Sequence, residues 1–213
     1  MRMRRLFLLC AAAVTMIAAV TSAALGADAV LGEATAAIRD TTDKILAVIR
    51  DPELQKPGTE TERRDRIRRL CDERFAWSEM ARRSMGRNWA KLSEAQRQEF
   101  VPLFTGLVYQ AYMDKVADYK GDKIVYNGEQ VEEGYSTVSV AVITEKNTEI
   151  PVQYRMIKDK ERWVVYDVSI EGVSLVNNYR TQFSEFLTNS TVDKLIARLR
   201  EKQPQGAPAV PAS

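Results

Sequence analysis

Three segments in the second half of the chain limit its fold more than any other feature. They are YSTVSVAVIT (135–144), EIPVQYRMI (149–157) and WVVYDVSI (163–170). In the first, Val138, Val140 and Val142 point one way and Thr137, Ser139 and Ala141 the other. In the second, Ile150, Val152, Tyr154 and Met156 share a side. Alternation of this kind is the period of a strand with one buried face. The third run is apolar on both faces except at Asp167 and Ser169, as befits an inner strand. The links EEG, EKNT and KDKER are short and turn-rich, so the runs read as antiparallel hairpins. KIVYNGEQV (123–131) supplies a more polar edge strand, in which Asn127–Gly128 marks either a bulge or a tight turn.

On either side of these strands the apolar period changes to that of a helix. Ile38, Ile45, Leu46, Val48 and Ile49 recur at helical spacing over 30–50. The run DPELQKPGTET then interrupts the pattern with two prolines and a glycine. TERRDRIRRLCDERF (61–75) follows as a strongly charged helix, and a short one over 78–85 is stopped by Gly86. Ser93 with Gln96 forms a capping box. Beyond it Phe100, Leu103, Phe104, Leu107, Ala111 and Tyr112 make a broad apolar helical face, with Pro102 expected to kink or restart the helix. After the strands come helices over about 174–188 and 192–202, the second capped by Thr191. The predicted fold is α+β: N-terminal helices, a curved four-stranded antiparallel sheet and C-terminal helices.

The two ends read differently. MRMRR, the apolar run LFLLCAAAVTMIAAV and the small residues TSAALG form a secretory signal over 1–26, too short for a membrane span. It holds three of the 31 basic residues and no acidic ones, leaving 28 against 29 and a net charge of −1. That balance argues against non-specific nucleic-acid binding. Cys10 leaves with the signal, so Cys71 stands alone and no internal disulfide is available. One domain over 27–202 is expected, followed by a tail, QPQGAPAVPAS (203–213), too rich in proline to fold.

The chain contains no histidine. Ser-His-Asp and Cys-His chemistry therefore lack their proton acceptor, and zinc lacks a ligand set. The junction EGVSLVNNYR (171–180) has the outline of a nucleophile elbow, a strand running through glycine and serine into a helix. It lacks the second glycine, and no serine in the chain has a lysine three residues on. Ser174 is read instead as the N-cap of the following helix. From Arg63 to Arg87 nine arginines stand against four acids. The plain reading is a solvated, ion-paired helix face; the sharper one is a site for anionic lipid headgroups or an acidic partner. Periodicity alone leaves open whether the many large apolar residues fill a core or line a cavity.

A resemblance narrows the choice. FAW from Phe75, MARRSMGRNW (80–89), FVPLF from Phe100, Tyr112 and Tyr119, PVQYRM (151–156) and WVVYDVSIEGVSLVNNYRTQF (163–183) resemble, in this order, the MlaC (toluene-tolerance) family. That resemblance implies a periplasmic phospholipid carrier of the maintenance-of-lipid-asymmetry ABC system. It implies a hydrophobic pocket for acyl tails and no cofactor. It also implies exchange, as a monomer, between an outer-membrane lipoprotein–porin complex and an inner-membrane MCE-domain transporter. The family supplies no catalytic motif, so the wall is chosen by periodicity: Leu103, Phe104, Leu107, Val108 and Tyr112 from the long helix; Val140, Val142, Val152, Tyr154 and Met156 from the sheet; Phe183 and Phe186 from the C-terminal helix. Two other functions compete: a cavity-fold enzyme using Asp167 or a tyrosine, and a periplasmic chaperone.

Overall fold

A computed structural model describes residues 32–117, 123–144 and 146–203. The signal segment and residues 204–213 of the tail lie outside them. Four helices come first: α1 (Glu33–Arg50), α2 (Glu60–Arg74), α3 (Trp77–Met85) and α4 (Glu94–Ala117). Five strands follow: β1 (Lys123–Glu132), β2 (Tyr135–Ile143), β3 (Glu149–Asp159), β4 (Arg162–Ile170) and β5 (Val173–Ser174). Helices α5 (Leu175–Thr188) and α6 (Val192–Glu201) complete the chain. The class is α+β, as the change of period requires. Among the described residues no helix is long and apolar enough to cross a membrane.

Local chemistry explains the boundaries. Gly86, at φ +53°, ends α3 by giving its N–H to the carbonyls of Arg82 and Arg83. The capping box opens α4: the Gln96 N–H donates to Ser93 Oγ, and the Ser93 N–H to Gln96 Oε1. Pro102 does not restart this helix, which continues to Ala117. Thr191 accepts the Lys194 N–H at the start of α6.

The sheet is antiparallel throughout, in the order β1-β2-β3-β4-β5. The sequence predicts four strands and a helix from about 174; the structure adds the two-residue β5 before that helix. Gly172, at φ +81°, turns the chain back so that Val173 and Ser174 pair with Ile170 and Ser169. The Asn127–Gly128 pair is a bulge, with Gly128 at φ +104° and the register shifting between Tyr126 and Gly128. A second shift falls between Arg155 and Met156. Such bulges bend and twist a sheet locally.

Two main apolar clusters result. One is helical: Phe100, Phe104 and Val108 of α4 pack with Tyr179 and Phe183 of α5, Leu195, Ile196 and Leu199 of α6, and Met80 and Met85 of α3. The other lies on one face of the sheet, where Val138, Val140, Val152, Met156, Val165 and Val168 meet Ala34 and Ile38 of α1.

Candidate functional site

The register shows how the inner face of the sheet is covered. Ser136, Met156 and Val165 form one row, Val138, Tyr154 and Val168 the next. Further along come Tyr126, Val140, Val152 and Ile170, and then Ile124, Val142 and Ile150. The N-terminal part of α1 seals the first rows. Its Thr35 N–H and hydroxyl both donate to Glu129 Oε2, at 2.5 and 2.7 Å, and Trp163 Nε1 donates to Glu33 Oε2 at 3.2 Å. Met156 and Val138 are accordingly fully buried. Toward the other end Ile124, Tyr126, Val142, Ile150, Tyr154 and Ile170 all keep accessible surface although they point inward. Ile124 and Tyr126 belong to the edge strand β1, and Val142, Ile150 and Ile170 lie at or next to strand ends, so this end of the inner face is covered less completely than the rows under α1.

Tyr154 lies mid-strand on this inner face. Burial pushes its hydroxyl up to about 12, helped by Tyr126 and by the Cys71 thiol. Burial, and then Asp72, raise Cys71 to about 12 as well, so this thiol is not a nucleophile near neutral pH. Cys71 packs against the helical cluster and against the smaller group of Ile49, Ile67 and Ala117, whereas Phe75 touches both main clusters. Phe75, just past the end of α2, therefore stands on the seam between sheet and helices, with Cys71 one turn back and near enough to act on Tyr154.

The seam is stiffened by aromatic rings. Phe75 stacks on Trp77 at 5.2 Å between centroids, and Trp77 meets Tyr109 of α4 at 5.1 Å. The Asp72 carboxylate accepts from both Trp77 Nε1 and the Tyr109 hydroxyl, each at 2.8 Å. Tyr109 is shifted upward, chiefly by burial.

The predicted wall divides between the two clusters. Val140, Val142, Val152, Tyr154 and Met156 share the inner sheet face. Leu103, Phe104, Leu107, Val108, Tyr112, Phe183 and Phe186 belong to the helical cluster. Phe104, Val108 and Phe183 are buried there, with Phe104 and Phe183 edge to face at 6.4 Å. Leu107, Phe183 and Phe186 also border a groove of about 450 Å³ between α4, α5 and α6, whose lining includes Leu195 and Leu199 and the charged Arg198 and Lys202. Gln203 closes one side of that region by donating Nε2 to the Leu103 carbonyl at 3.0 Å. The wall chosen from periodicity leaves out Phe75, Cys71, Tyr126 and Ile150, although Ile150 shares its side of the strand with Val152 and Cys71 falls with Ile67 and Leu70 on the narrow apolar side of α2.

Asp167, the acid considered for an enzyme, lies on the opposite side of the sheet, because the neighbouring Val168 pairs with the inward Tyr154. Its carboxylate is fully engaged. Oδ2 accepts from the Ser174 hydroxyl at 2.6 Å and from Arg155 at 3.2 Å, and Oδ1 from the Val176 N–H at 3.0 Å. Ser174 in turn accepts the Asn177 N–H at 3.0 Å. The elbow-like junction is a doubly capped helix start.

Comparison with known proteins agrees with this architecture. A family model described as MlaC protein matches residues 39–201. The intermembrane phospholipid transport system binding protein MlaC of Haemophilus influenzae is 24% identical over 126 residues, or 57% of this chain. The match spans 59% of that relative's own length. A solved phospholipid-binding protein from Ralstonia solanacearum, in complex with a phospholipid, has the same fold. Its TM-score is 0.71 at 24% identity, covering 79% of this chain and 96% of that one.

Proposed function

The chain belongs to the MlaC protein family, and on that premise we propose that it is a periplasmic phospholipid carrier. In this reading it holds acyl tails over the inner face of the sheet and passes lipid between an outer-membrane lipoprotein–porin complex and an inner-membrane MCE-domain transporter. The observation that supports the reading is the apolar inner face of the sheet, where Ile124, Tyr126, Val142, Ile150, Tyr154 and Ile170 keep accessible surface around the buried Val140 and Val152. Two tails of about sixteen carbons carry roughly 30 methylenes. At about 0.8 kcal/mol each, their transfer from a membrane to water costs about 24 kcal/mol, which rules out free diffusion. An apolar hollow cancels most of that cost, and the lack of a strong headgroup clamp over the tails permits release.

The tails of one diacyl lipid need a volume near the top of the usual pocket range, roughly 1,000 Å³. The groove of about 450 Å³ beside α4 lies among the helices and not over the sheet face. In this reading loading requires the helical cluster to move relative to the sheet, and Phe75, which touches both clusters, marks the line along which the two part. A packed interior opens only along such a boundary between clusters. The enzyme alternative loses its best residue, because Asp167 is committed to the start of α5.

Mass spectrometry of organic extracts, from protein purified without detergent, tests the proposal directly. Phospholipid should be recovered in near-stoichiometric amount from the native chain and lost from folded Val152→Arg. Equal lipid recovery from a folded variant would count against the sheet face as the binding wall. Recovery of unfolded polypeptide without lipid would favour a chaperone.

A further inference from the structure

Away from the hollow, a polar cleft of about 570 Å³ lies where α3, β3, β4 and the first turns of α5 meet. Arginines from three elements converge on it: Arg83, Arg155 and Arg180. Arg83 lays its guanidinium 4.1 Å from the centre of the Tyr166 ring and donates Nε to Glu79 at 2.6 Å. Arg155 gives one terminal amino group to Asp167. Arg180 donates Nε to the Arg83 carbonyl at 2.9 Å, and its stem lies so near Gly86 that a Cβ there would sit 3.3 Å from Arg180 Cδ. Among the described residues no carboxylate pairs with Arg180. Asp167, the acid of the cleft wall, already accepts three hydrogen bonds. Asn177, Asn178 and Thr181 add amide and hydroxyl groups along the same wall.

Glu79 offsets the charge of Arg83 and Asp167 that of Arg155, which leaves the Arg180 guanidinium in the cleft without a carboxylate partner among the described residues. Stacking and main-chain contacts hold Arg83 and Arg180 in place while leaving terminal N–H groups over, and the planar guanidinium fork matches phosphate oxygens in pairs. We propose that this cleft is a phosphate-binding site, taking the phosphate of a membrane lipid headgroup or of a soluble phosphate ester. Val173, at the turn into β5, lines the cleft and is 63% exposed. An apolar tip beside a basic cleft suits a lipid surface, where the tip enters the headgroup layer and the arginines meet phosphates. Arg155 and Asp167 point away from the sheet face that borders the hollow, so the site is separate from the place assigned to the tails and does not depend on it.

The test is an NMR titration of the arginine Nε–Hε signals of the folded protein with inorganic phosphate and glycerol 3-phosphate. It is paired with flotation on vesicles of phosphatidylglycerol and phosphatidylethanolamine. Saturable shifts at Arg83, Arg155 and Arg180, with Arg69 on α2 unmoved, are expected. Arg180→Gln should weaken them about tenfold, the effect of losing one charge-assisted contact. Asn177→Asp should do the same by placing a negative charge in the cleft. Because residue 177 is the third of α5, that aspartate favours the helix and keeps the fold. Vesicle binding lost in both variants assigns the phosphate to a lipid surface, and shifts with glycerol 3-phosphate but no flotation assign it to a soluble ester. No saturable shift with any probe overturns the site. Equal shifts with chloride at matched ionic strength do so too, and so does a response to poly-glutamate alone, which would indicate an acidic protein instead.

Discussion

Replacing Ser174 by alanine removes the oxygen that accepts the Asn177 N–H and the hydroxyl that donates to Asp167. The lost cap should cost about 1 kcal/mol of unfolding free energy. Asp167→Asn should cost more, about 1.5–3 kcal/mol, because a buried carboxylate would no longer meet Arg155 and two other donors. Chemical denaturation measures both losses. Lipid recovery should be unchanged in each variant. Complete loss of transfer from Ser174→Ala at full stability would revive a catalytic role for that residue. Ser174 was legible as a cap because capping depends on local sequence alone. The partnership with Asp167 was not, since it needs the Gly172 turn to bring β4 and the helix start together.

Among the elements, α4 shows where reading by period succeeds and where it stops. Its apolar face was correctly placed, yet a face does not name what it meets. The helix packs chiefly on α2, α3, α5 and α6. The predicted wall therefore drew on two clusters, and Phe75, which joins them, was left out because a residue between two helices carries no period of its own. Gly106 gives α4 a testable peculiarity. A Cβ there would come within 2.0 Å of Gln203 Oε1, the far end of a flexible side chain. Gly106→Ala should gain up to about 1 kcal/mol of helix propensity while displacing Gln203 from the Leu103 carbonyl. A higher melting temperature with faster hydrogen exchange at the end of α6 is expected. A lower melting temperature would mean that the Gln203 contact outweighs the propensity of α4.

For the molecule as a whole, the raised groups along the seam and in the helical cluster set its response to alkali. Cys71 is pushed from 9.0 to about 12, and Tyr154 and Tyr179 from 10.0 to about 12, in each case chiefly by burial. Below pH 9 these groups are protonated in both folded and unfolded chains and favour neither. Between pH 9 and 12 the unfolded chain releases their protons while the folded one retains them, so stability falls as pH rises. The decline should start near pH 9, where the thiol ionises first, and steepen above pH 10 as the tyrosines follow. Cys71→Ala should remove the earliest part and Tyr154→Phe part of the later one, as read by urea midpoints from pH 7 to 11. Tyr154 lies on the inner sheet face with Cys71 near enough to act on it, whereas Tyr179 sits in the helical cluster. A bound acyl tail that dries that face should therefore shift the first two further and leave the Tyr179 contribution alone. If the alkaline profiles of lipid-loaded and delipidated protein coincide, the tails do not lie against Tyr154, and the wall must be sought in the α4–α5–α6 groove.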